Sequence, residues 1–197
     1  MCGLTAAVLA AIRVQLVLLG QYPGLGWWAL AAGLLAGGVA LSLVLVVALR
    51  WRSLKGAGLL ASAVLLSVAT VGTAGAMRFP AHNFKSPELR DEWRQLHPTL
   101  RLALWVARLG EHDLVLTDLS RTPDDYATMS LSQPAGSAHY THSDGYARAV
   151  DLRVSDAGDL RNWARQGVFL LMGLRAQRHG GTADHLHVSL PHPPSRG

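Results

Sequence analysis

The sequence predicts an α+β protein in which membrane-spanning helices precede a small polar domain. Two long uncharged apolar runs lie within residues 1–80, and short β-type runs alternate with helical patterns after them. All nine histidines and all acidic residues lie after residue 80. We therefore expect a membrane anchor at 1–80, a linker with a first helix at 81–98, and a domain that carries the chemistry at 99–197.

The anchor contains two runs that are long enough to cross a bilayer as helices. Residues 27–49 and 57–77 carry no charge, and each approaches the length that spans roughly 30 Å of hydrocarbon. Between them, Arg50, Arg52 and Lys55 form a positively charged loop, which the positive-inside rule places in the cytoplasm. We therefore expect the protein in the cytoplasmic membrane, with its C-terminal domain outside.

A third apolar run, residues 4–19, is a weaker candidate for a membrane span. Arg13 and Gln15 interrupt it, and an arginine at mid-bilayer costs about 3 kcal/mol on insertion scales. If this run does span, the N-terminus is cytoplasmic and the exit side of the domain is unchanged. The alternatives are a cleaved signal peptide for residues 1–20 or buried globular helices throughout. Two or three transmembrane helices are thus expected.

Charge and cysteine content narrow the classes of protein further. Residues 1–80 hold five basic side chains and the rest hold 13 basic and 13 acidic ones, so the net charge of +5 belongs to the anchor. The remainder carries no basic stripe, which argues against nucleic acid as a partner. Cys2 is the only cysteine, so the outer domain has to be stabilised by its core, by a metal, or by both.

The outer domain alternates helical and β-type patterns. After a linker at 78–87, a helix is predicted at 88–96 and a second one at 99–109, which Gly110 ends. The elements expected after these are a strand at 114–119, a helix from Thr122-Pro123, a loop at 129–145, a strand at 149–154, a helix from Ser155 to about Gln177, and a strand at 185–190. A loop as long as 129–145 in a compact domain is often functional.

Three short motifs carry the chemistry of this domain. They are residues 136–140 (Gly-Ser-Ala-His-Tyr), 148–153 (Arg-Ala-Val-Asp-Leu-Arg) and 184–187 (Asp-His-Leu-His). Together they supply imidazoles and a carboxylate on separate segments, the donor set of a three-ligand zinc site with one open position. In a strand, residues two apart face the same side, so His185 and His187 can both point into one cleft. The motifs therefore indicate a zinc-dependent hydrolase.

The candidate metal ligands are His139, Asp151 and His187, one from each motif. Zinc bound by them would keep one position for a water molecule, whose pKa falls toward neutrality. The side chain of Ser137 can support the first ligand from outside the coordination sphere. Asp151 lies in an otherwise apolar strand, where burying an unpaired carboxylate is costly, and this favours a metal or an arginine partner.

In this combination and order, the motifs resemble those of the zinc peptidases of the Hedgehog/D-Ala-D-Ala-peptidase superfamily. The match covers residues 99–190 and includes 116–123 (Leu-Thr-Asp-Leu-Ser-Arg-Thr-Pro) as a fourth motif. The resemblance implies a small domain with a central antiparallel sheet that binds Zn²⁺ and cuts peptide bonds of peptidoglycan stem or cross-bridge peptides. Residues 1–80 have no counterpart in this pattern.

Three further residues are candidates for catalysis. Asp184 matches the position of the family's general base and could take the proton of the water molecule. His185 could donate a hydrogen bond to the developing oxyanion. Arg121 resembles the arginine that holds a substrate carboxylate or stabilises the tetrahedral intermediate, a role that suits its planar set of donors. It could instead pair only with Asp118 or Asp124.

One spacing departs from the family. The family usually places its first His closer to its Asp than His139 lies to Asp151, and residues 142–146 are in excess of the pattern. Either this segment bulges out between the ligands or His142 replaces His139 as the first ligand. We favour His139, because the Gly-Ser-x-His-Tyr match at 136–140 is the fuller one. If neither side chain reaches the site, the domain is a non-catalytic relative.

The sequence thus predicts a membrane-anchored zinc metallopeptidase of the D-Ala-D-Ala carboxypeptidase or peptidoglycan endopeptidase type. The expected partners are peptidoglycan peptides and the membrane. The alternative is a catalytically inactive member of the same fold that binds a cell-wall peptide or a partner protein. The oligomeric state is left open, and the remaining histidines receive no role: His82, His97, His112, His179 and His192.

Overall fold

The computed structural model describes residues 2–22, 24–49, 53–128, 137–180 and 184–191. It begins with three long helices, α1 (Cys2–Gln21), α2 (Gly26–Ala48) and α3 (Leu54–Met77). Within the described residues, two stretches are long and apolar enough to cross a membrane, Gly26–Ala48 and Lys55–Met77, whereas the apolar part of α1 is shorter, Ala7–Gln21. Arg50 and Arg52 lie outside the described residues, so the membrane orientation stays a prediction.

Helices α1 and α2 form a closely packed antiparallel pair. Gly33 and Gly37 of α2 lie about one turn apart and face α1, and a Cβ atom at Gly37 would lie 2.8 Å from the backbone oxygen of Ala7. A Cβ atom at Gly33 would collide with the backbone oxygen of Ala11 and the side chain of Gln15. Small residues at this spacing let two helix backbones approach closely, as they do in membrane-spanning helix pairs.

The second part of the chain is an α+β domain with an antiparallel sheet, which confirms the predicted fold class. Its strands are β1 (Leu116–Asp118), β2 (Ala149–Arg153), β3 (Arg175–His179) and β4 (His185–Ser189), in the order β1-β2-β4-β3. Each neighbouring pair is antiparallel. Its helices are α4 (Pro87–Glu92), α5 (Pro98–Gly110), α6 (Pro123–Thr128) and α7 (Asp159–Met172), with 3₁₀ turns at Ala81–Asn83 and Trp93–Gln95.

The predicted helix from Ser155 to about Gln177 is wrong at both ends. Helix α7 starts at Asp159 and ends at Met172, because Gly173 adopts the left-handed conformation (φ 89°) that terminates helices. The residues that follow form β3, which pairs with β4 at the edge of the sheet. Strand β3 contains a single apolar residue, Ala176, so its sequence lacks the alternating pattern by which strands are recognised.

The sheet has an apolar face and a polar face. The apolar face consists of side chains that are at most 1 % exposed: Val150, Leu152, Leu186 and Val188. They belong to one core with Phe169 of α7, and α7 packs on β3 and β4. Because side chains alternate along a strand, Asp151 and His187 point to the opposite face. The candidate ligands therefore lie on the side of the sheet that α7 does not cover.

The residues between the long helices and the domain are packed, although a polar linker was predicted at 78–87. Phe79, Phe84 and Trp93 form an aromatic cluster with ring centroids 4.8, 5.6 and 5.9 Å apart. Phe84 also bridges to Leu116 of β1. The cluster thus ties the end of α3 to the edge of the sheet.

Candidate metal centre

Two of the predicted ligands are paired across neighbouring strands. Asp151 of β2 lies directly opposite His187 of β4, and both side chains point to the polar face. The Nδ1 atom of His187 lies 2.9 Å from Oδ1 of Asp151. Backbone pairing of two central strands therefore sets the distance between this carboxylate and this imidazole.

His139 lies in a loop, and its side chain reaches the pair formed by Asp151 and His187. Its Nε2 atom lies 3.3 Å from Oδ1 of Asp151 and 3.3 Å from Nδ1 of His187. The three side chains form a group whose candidate ligand atoms all lie within 4.8 Å of one another, so that it could hold a metal ion. His139 and Asp151 are buried, at 4 % and 3 % exposure, which separates the group from bulk water on that side.

The hydrogen bonds of His139 show that a cation fits this group. Its Nδ1 atom lies 2.9 Å from the carbonyl oxygen of Leu119, which can only accept, so Nδ1 carries the proton. In the neutral ring Nε2 then directs a lone pair at the carboxylate of Asp151, and a cation, either a proton or a metal ion, is required between them. Neighbouring ligands of tetrahedral zinc lie about 3.3 Å apart when the bonds are about 2.0 Å long. The separations observed here, 2.9 and 3.3 Å, agree with that spacing.

The pKa shifts of Asp151 and His139 also favour a cation at this group. Burial alone would raise the pKa of Asp151, but hydrogen bonds from His139 and His187 outweigh it and hold that pKa well below its usual range. Burial alone would lower the pKa of His139, but its hydrogen bond to Asp151 and the negative charge there raise it above the ordinary value. The polar face therefore holds an ionised carboxylate that attracts positive charge.

The backbone of the first ligand is held from two sides. Ser137 accepts a hydrogen bond on its Oγ from the backbone N–H of His139, with N and Oγ 3.3 Å apart. The backbone N–H of Arg121 donates to the carbonyl oxygen of His139 at 3.0 Å. Ser137 thus contacts the backbone of the candidate ligand His139, and its supporting role stays a prediction. Gly136 of the same motif lies outside the described residues.

Residues 142–146, the segment in excess of the family pattern, form a hydrogen-bonded turn. The N–H of His142 donates to the carbonyl of Tyr146 at 3.1 Å, and the N–H of Gly145 donates to the carbonyl of His142 at 2.9 Å. Gly145 has a φ of 81°, which allows the tight reversal. Among the described residues, the group that could hold a metal contains His139 and not His142.

Arg121 lies beside the ligand carboxylate. Its Nε donates to Oδ2 of Asp118 at 2.6 Å, and its Nη2 donates to Oδ2 of Asp151 at 3.2 Å. The side chain is 17 % exposed, so the guanidinium is partly accessible from the polar face. Pairing with Asp118 was one of the two sequence-based interpretations, and the structure adds a contact between Arg121 and the candidate ligand Asp151.

The two remaining catalytic candidates lie on different sides of the sheet. His185 is on the polar face, with Nε2 3.6 Å from Oδ2 of Asp151. The carboxylate of Asp184 instead accepts two hydrogen bonds from Arg178, at 2.8 and 3.1 Å. Arg178 also pairs with Asp159 at the start of α7. This ion pair lowers the pKa of Asp184, chiefly through the hydrogen bond from Arg178.

His179 lies beside the centre, although the sequence analysis gave it no role. Its ring stacks on His185 with centroids 5.0 Å apart and meets His187 edge-on at 5.9 Å. Partial burial and the neighbouring His185 and His187 lower its pKa. The signal that could have found it is the register of β3, where His179 is directly opposite His185. That strand was predicted as helix, so the proximity was missed.

Comparisons of this chain with models of protein families, with curated proteins and with solved structures give no match. The interpretation of the centre therefore rests on its motifs and on the geometry described above.

Proposed function

We propose that the protein is a membrane-anchored zinc peptidase that hydrolyses peptide bonds of peptidoglycan stem or cross-bridge peptides outside the cytoplasmic membrane. The observation that carries the proposal is the convergence of His139, Asp151 and His187, whose contacts of 2.9 and 3.3 Å suit a single zinc ion. The resemblance of the four motifs to zinc peptidases supplies the substrate class.

The side chains have distinct roles in this proposal. His139, Asp151 and His187 hold the metal, and a zinc ion there would lower the pKa of a water molecule and polarise the carbonyl to be cleaved. Arg121 keeps Asp151 oriented through its Nη2 contact, and its partly exposed guanidinium offers donors to a substrate carboxylate or to the developing oxyanion.

The proton acceptor has two candidates. His185 lies on the ligand face, 3.6 Å from the carboxylate of Asp151, and the geometry favours it. Asp184 can act as the base only if its ion pair with Arg178 opens, because a carboxylate that accepts two hydrogen bonds from a guanidinium is a weaker base. If Asp184 takes the proton, the imidazole of His185 can donate to the oxyanion.

The proposed location rests on the two long apolar helices and on the positively charged loop between them. A reporter enzyme that is active only outside the cytoplasm, fused after Gly197, is expected to be active. A fusion to a fluorescent protein that folds only in the cytoplasm is expected to be dark. The opposite pair of results would reject both the orientation and a wall substrate.

The function is tested on the purified full-length chain in detergent or lipid nanodiscs. We expect about one zinc per chain by elemental mass spectrometry, and cleavage of peptidoglycan fragments that a chelator abolishes and added zinc restores. His142→Ala serves as a matched control, because it removes a histidine of the neighbouring turn and leaves the group intact. A chain that binds no zinc and cleaves no fragment would contradict the proposal.

A second candidate is a non-catalytic relative that binds wall peptides or a partner protein. The observation that favours it is the ion pair between Asp184 and Arg178, which occupies the residue at the position of the family's general base. In this case the chain binds zinc and retains peptidoglycan peptides in a binding assay, but leaves them uncleaved on mass spectra.

A further inference from the structure

The outward face of α7 is apolar. Leu160, Trp163 and Leu171 recur at helical spacing and are 84 %, 70 % and 66 % exposed. Ala164 and Gly167 lie between them on the same face, so this outward stripe of α7 carries no charge. Single exposed apolar residues are common on proteins, whereas a contiguous stripe of them marks a contact surface.

The opposite face of α7 is buried and mixed, with Phe169 and Met172 in the apolar core beside two polar side chains. The Arg165 side chain is 1 % exposed and donates to the carboxylate of Glu111 at 2.6 and 2.9 Å. Asn162, 3 % exposed, donates to the carbonyl of Val154 at 2.9 Å. Helix α7 thus buries polar as well as apolar side chains, whereas a surface helix usually covers its apolar face and turns its polar face to water.

Arg161 lies beside the stripe and pairs with both Glu111 and Asp113, so its charge is compensated. The stripe itself offers an acidic partner no charged side chain. Its chemistry is that of an apolar surface.

The stripe continues into the long apolar helices. Arg13 of α1 donates from Nη2 to the carbonyl oxygen of Leu171 at 3.2 Å, near the C-terminus of α7, where the helix dipole is negative. Leu171 and Val168 of α7 also line an apolar cavity of about 630 Å³ together with Val68 and Val71 of α3. The outward face of α7 is therefore adjacent to the helices that are apolar enough to cross the membrane.

We propose that the outward stripe of α7 lies in the interfacial region of the phospholipid bilayer and contacts its acyl chains. The proposal rests on the membrane anchorage proposed above and not on peptidase activity. The bilayer surrounds α2 and α3, so the apolar phase nearest to the stripe is lipid. A helix with one wide apolar face and no charge on that face is suited to lie in the plane of the interface.

This docking sets the direction in which the metal centre opens. Helix α7 packs on the apolar face of the sheet, where Gln166 donates to the carbonyl of Ala176 at 2.9 Å. Asp151 and His187 point to the opposite face. With α7 on the bilayer, the face of the sheet that carries Asp151 and His187 is turned away from the lipid.

The test uses the full-length chain in vesicles of zwitterionic phosphatidylcholine. Cys2→Ser removes the only cysteine, and Leu160→Cys or Trp163→Cys then places an environment-sensitive fluorophore on the stripe. Arg175→Cys is the matched control, because Arg175 is exposed on β3 and belongs to the side chains of the polar face. Circular dichroism checks the fold of each variant, and a second stripe position remains if one variant does not fold.

We expect lipids with a spin label on their acyl chains to quench the probe at positions 160 and 163 several-fold more than the probe at 175. Equal, weak quenching at all three positions in a chain that floats with the vesicles would overturn the docking and leave the peptidase proposal untouched. A chain that does not float overturns the anchorage and the docking together. Quenching that appears only when anionic lipid is added would also overturn the apolar contact proposed here.

Discussion

The Nδ1 atom of His139 lies 2.9 Å from the carbonyl oxygen of Leu119, twenty positions earlier in the chain. This one contact assigns the ring's proton to Nδ1 and directs Nε2 toward Asp151. Histidines that bind metals commonly donate their other N–H in this way, because the bond fixes the orientation of the ring. The relationship favours His139 over His142 as the first ligand of the proposed zinc site and leads directly to a test.

We expect His139→Ala to reduce zinc binding to near zero, because it removes one of only three donors in the group. His142→Ala is expected to retain most of the zinc, because His142 belongs to the adjacent turn. Elemental mass spectrometry of both purified variants measures the difference. Zinc lost in His142→Ala and kept in His139→Ala would transfer the role to His142.

His187→Ala is expected to lose the metal and to destabilise the domain. Metal binding and folding are coupled, and no disulfide within the chain can compensate, since Cys2 is the only cysteine. Thermal melts with and without chelator measure the effect: the wild type shifts to lower temperature with chelator, and the variant starts low and does not shift. If the wild type melts identically with and without chelator, the metal contributes nothing to the fold.

The proton acceptor is identified by comparing His185→Ala with Asp184→Ala. We expect His185→Ala to keep its zinc and to lose about 10²- to 10⁴-fold in kcat/KM, the usual contribution of a positioned base. Asp184→Ala is expected to lose less, because its carboxylate is engaged by Arg178 on the other side of the sheet. If Asp184→Ala instead loses about 10²- to 10⁴-fold in kcat/KM and His185→Ala is unaffected, Asp184 is the proton acceptor.

The burial of His97 predicts that the protein loses stability in mild acid. The ring is fully buried, and burial lowers its pKa from 6.5 to about 4. The unfolded chain therefore binds this proton more tightly than the folded chain does. The contribution of His97 to the free energy of unfolding is fully present above pH 6.5, and it decreases by about 3 kcal/mol in all as the pH drops toward 4.

The matched control for this pH dependence is His97→Asn. The Nδ1 atom of His97 accepts from the N–H of Thr99 at 3.2 Å and caps α5, a bond that the asparagine oxygen can replace without titrating. Between pH 6.5 and pH 4, the free energy of unfolding measured with denaturant should fall more for the wild type than for the variant. Parallel pH profiles would show that His97 is not the source.

The close contact of α1 and α2 predicts that Gly33→Leu is destabilising. The new side chain would collide with the backbone oxygen of Ala11, which cannot move aside, and overpacking of this kind costs about 1–3 kcal/mol. Gly58→Leu in α3 is the matched control, because no heavy atom lies within 4 Å of a Cβ atom there. Thermal melts in detergent should show a lower midpoint for Gly33→Leu alone, and equal midpoints would contradict the packing.

Local sequence pattern was sufficient to predict the elements that carry two of the three ligands. Short β-type runs predicted strands at 149–154 and 185–190, and the strands observed are Ala149–Arg153 and His185–Ser189. The alternation of side chains along a strand placed His185 and His187 on one side of β4. The long apolar helices were equally predictable, because length and composition alone determine whether a helix can cross a bilayer.

Other features depended on contacts that the sequence pattern does not show. The partner of Asp184 is Arg178, which lies on an edge strand that contains one apolar residue and therefore has no local signature. The choice of His139 over His142 depended on how the turn at 142–146 closes and on the carbonyl of Leu119. The contact between His139 and Leu119 cannot be inferred from spacing, because it joins segments 20 positions apart that only folding brings together.

Helix α7 separates most clearly what the sequence determined from what the tertiary structure decided. Its sequence gives one uncharged apolar stripe and an opposite face that mixes polar and apolar side chains. Only the packed structure decided which face is covered. Phe169 and Met172 lie in the core, and Arg165 and Asn162 lie inside because Glu111 and the carbonyl of Val154 satisfy their donors. Leu160 and Trp163 remain outside. Amphipathicity defines two faces of a helix, but the free energy of burying either one depends on the partners that the rest of the chain supplies.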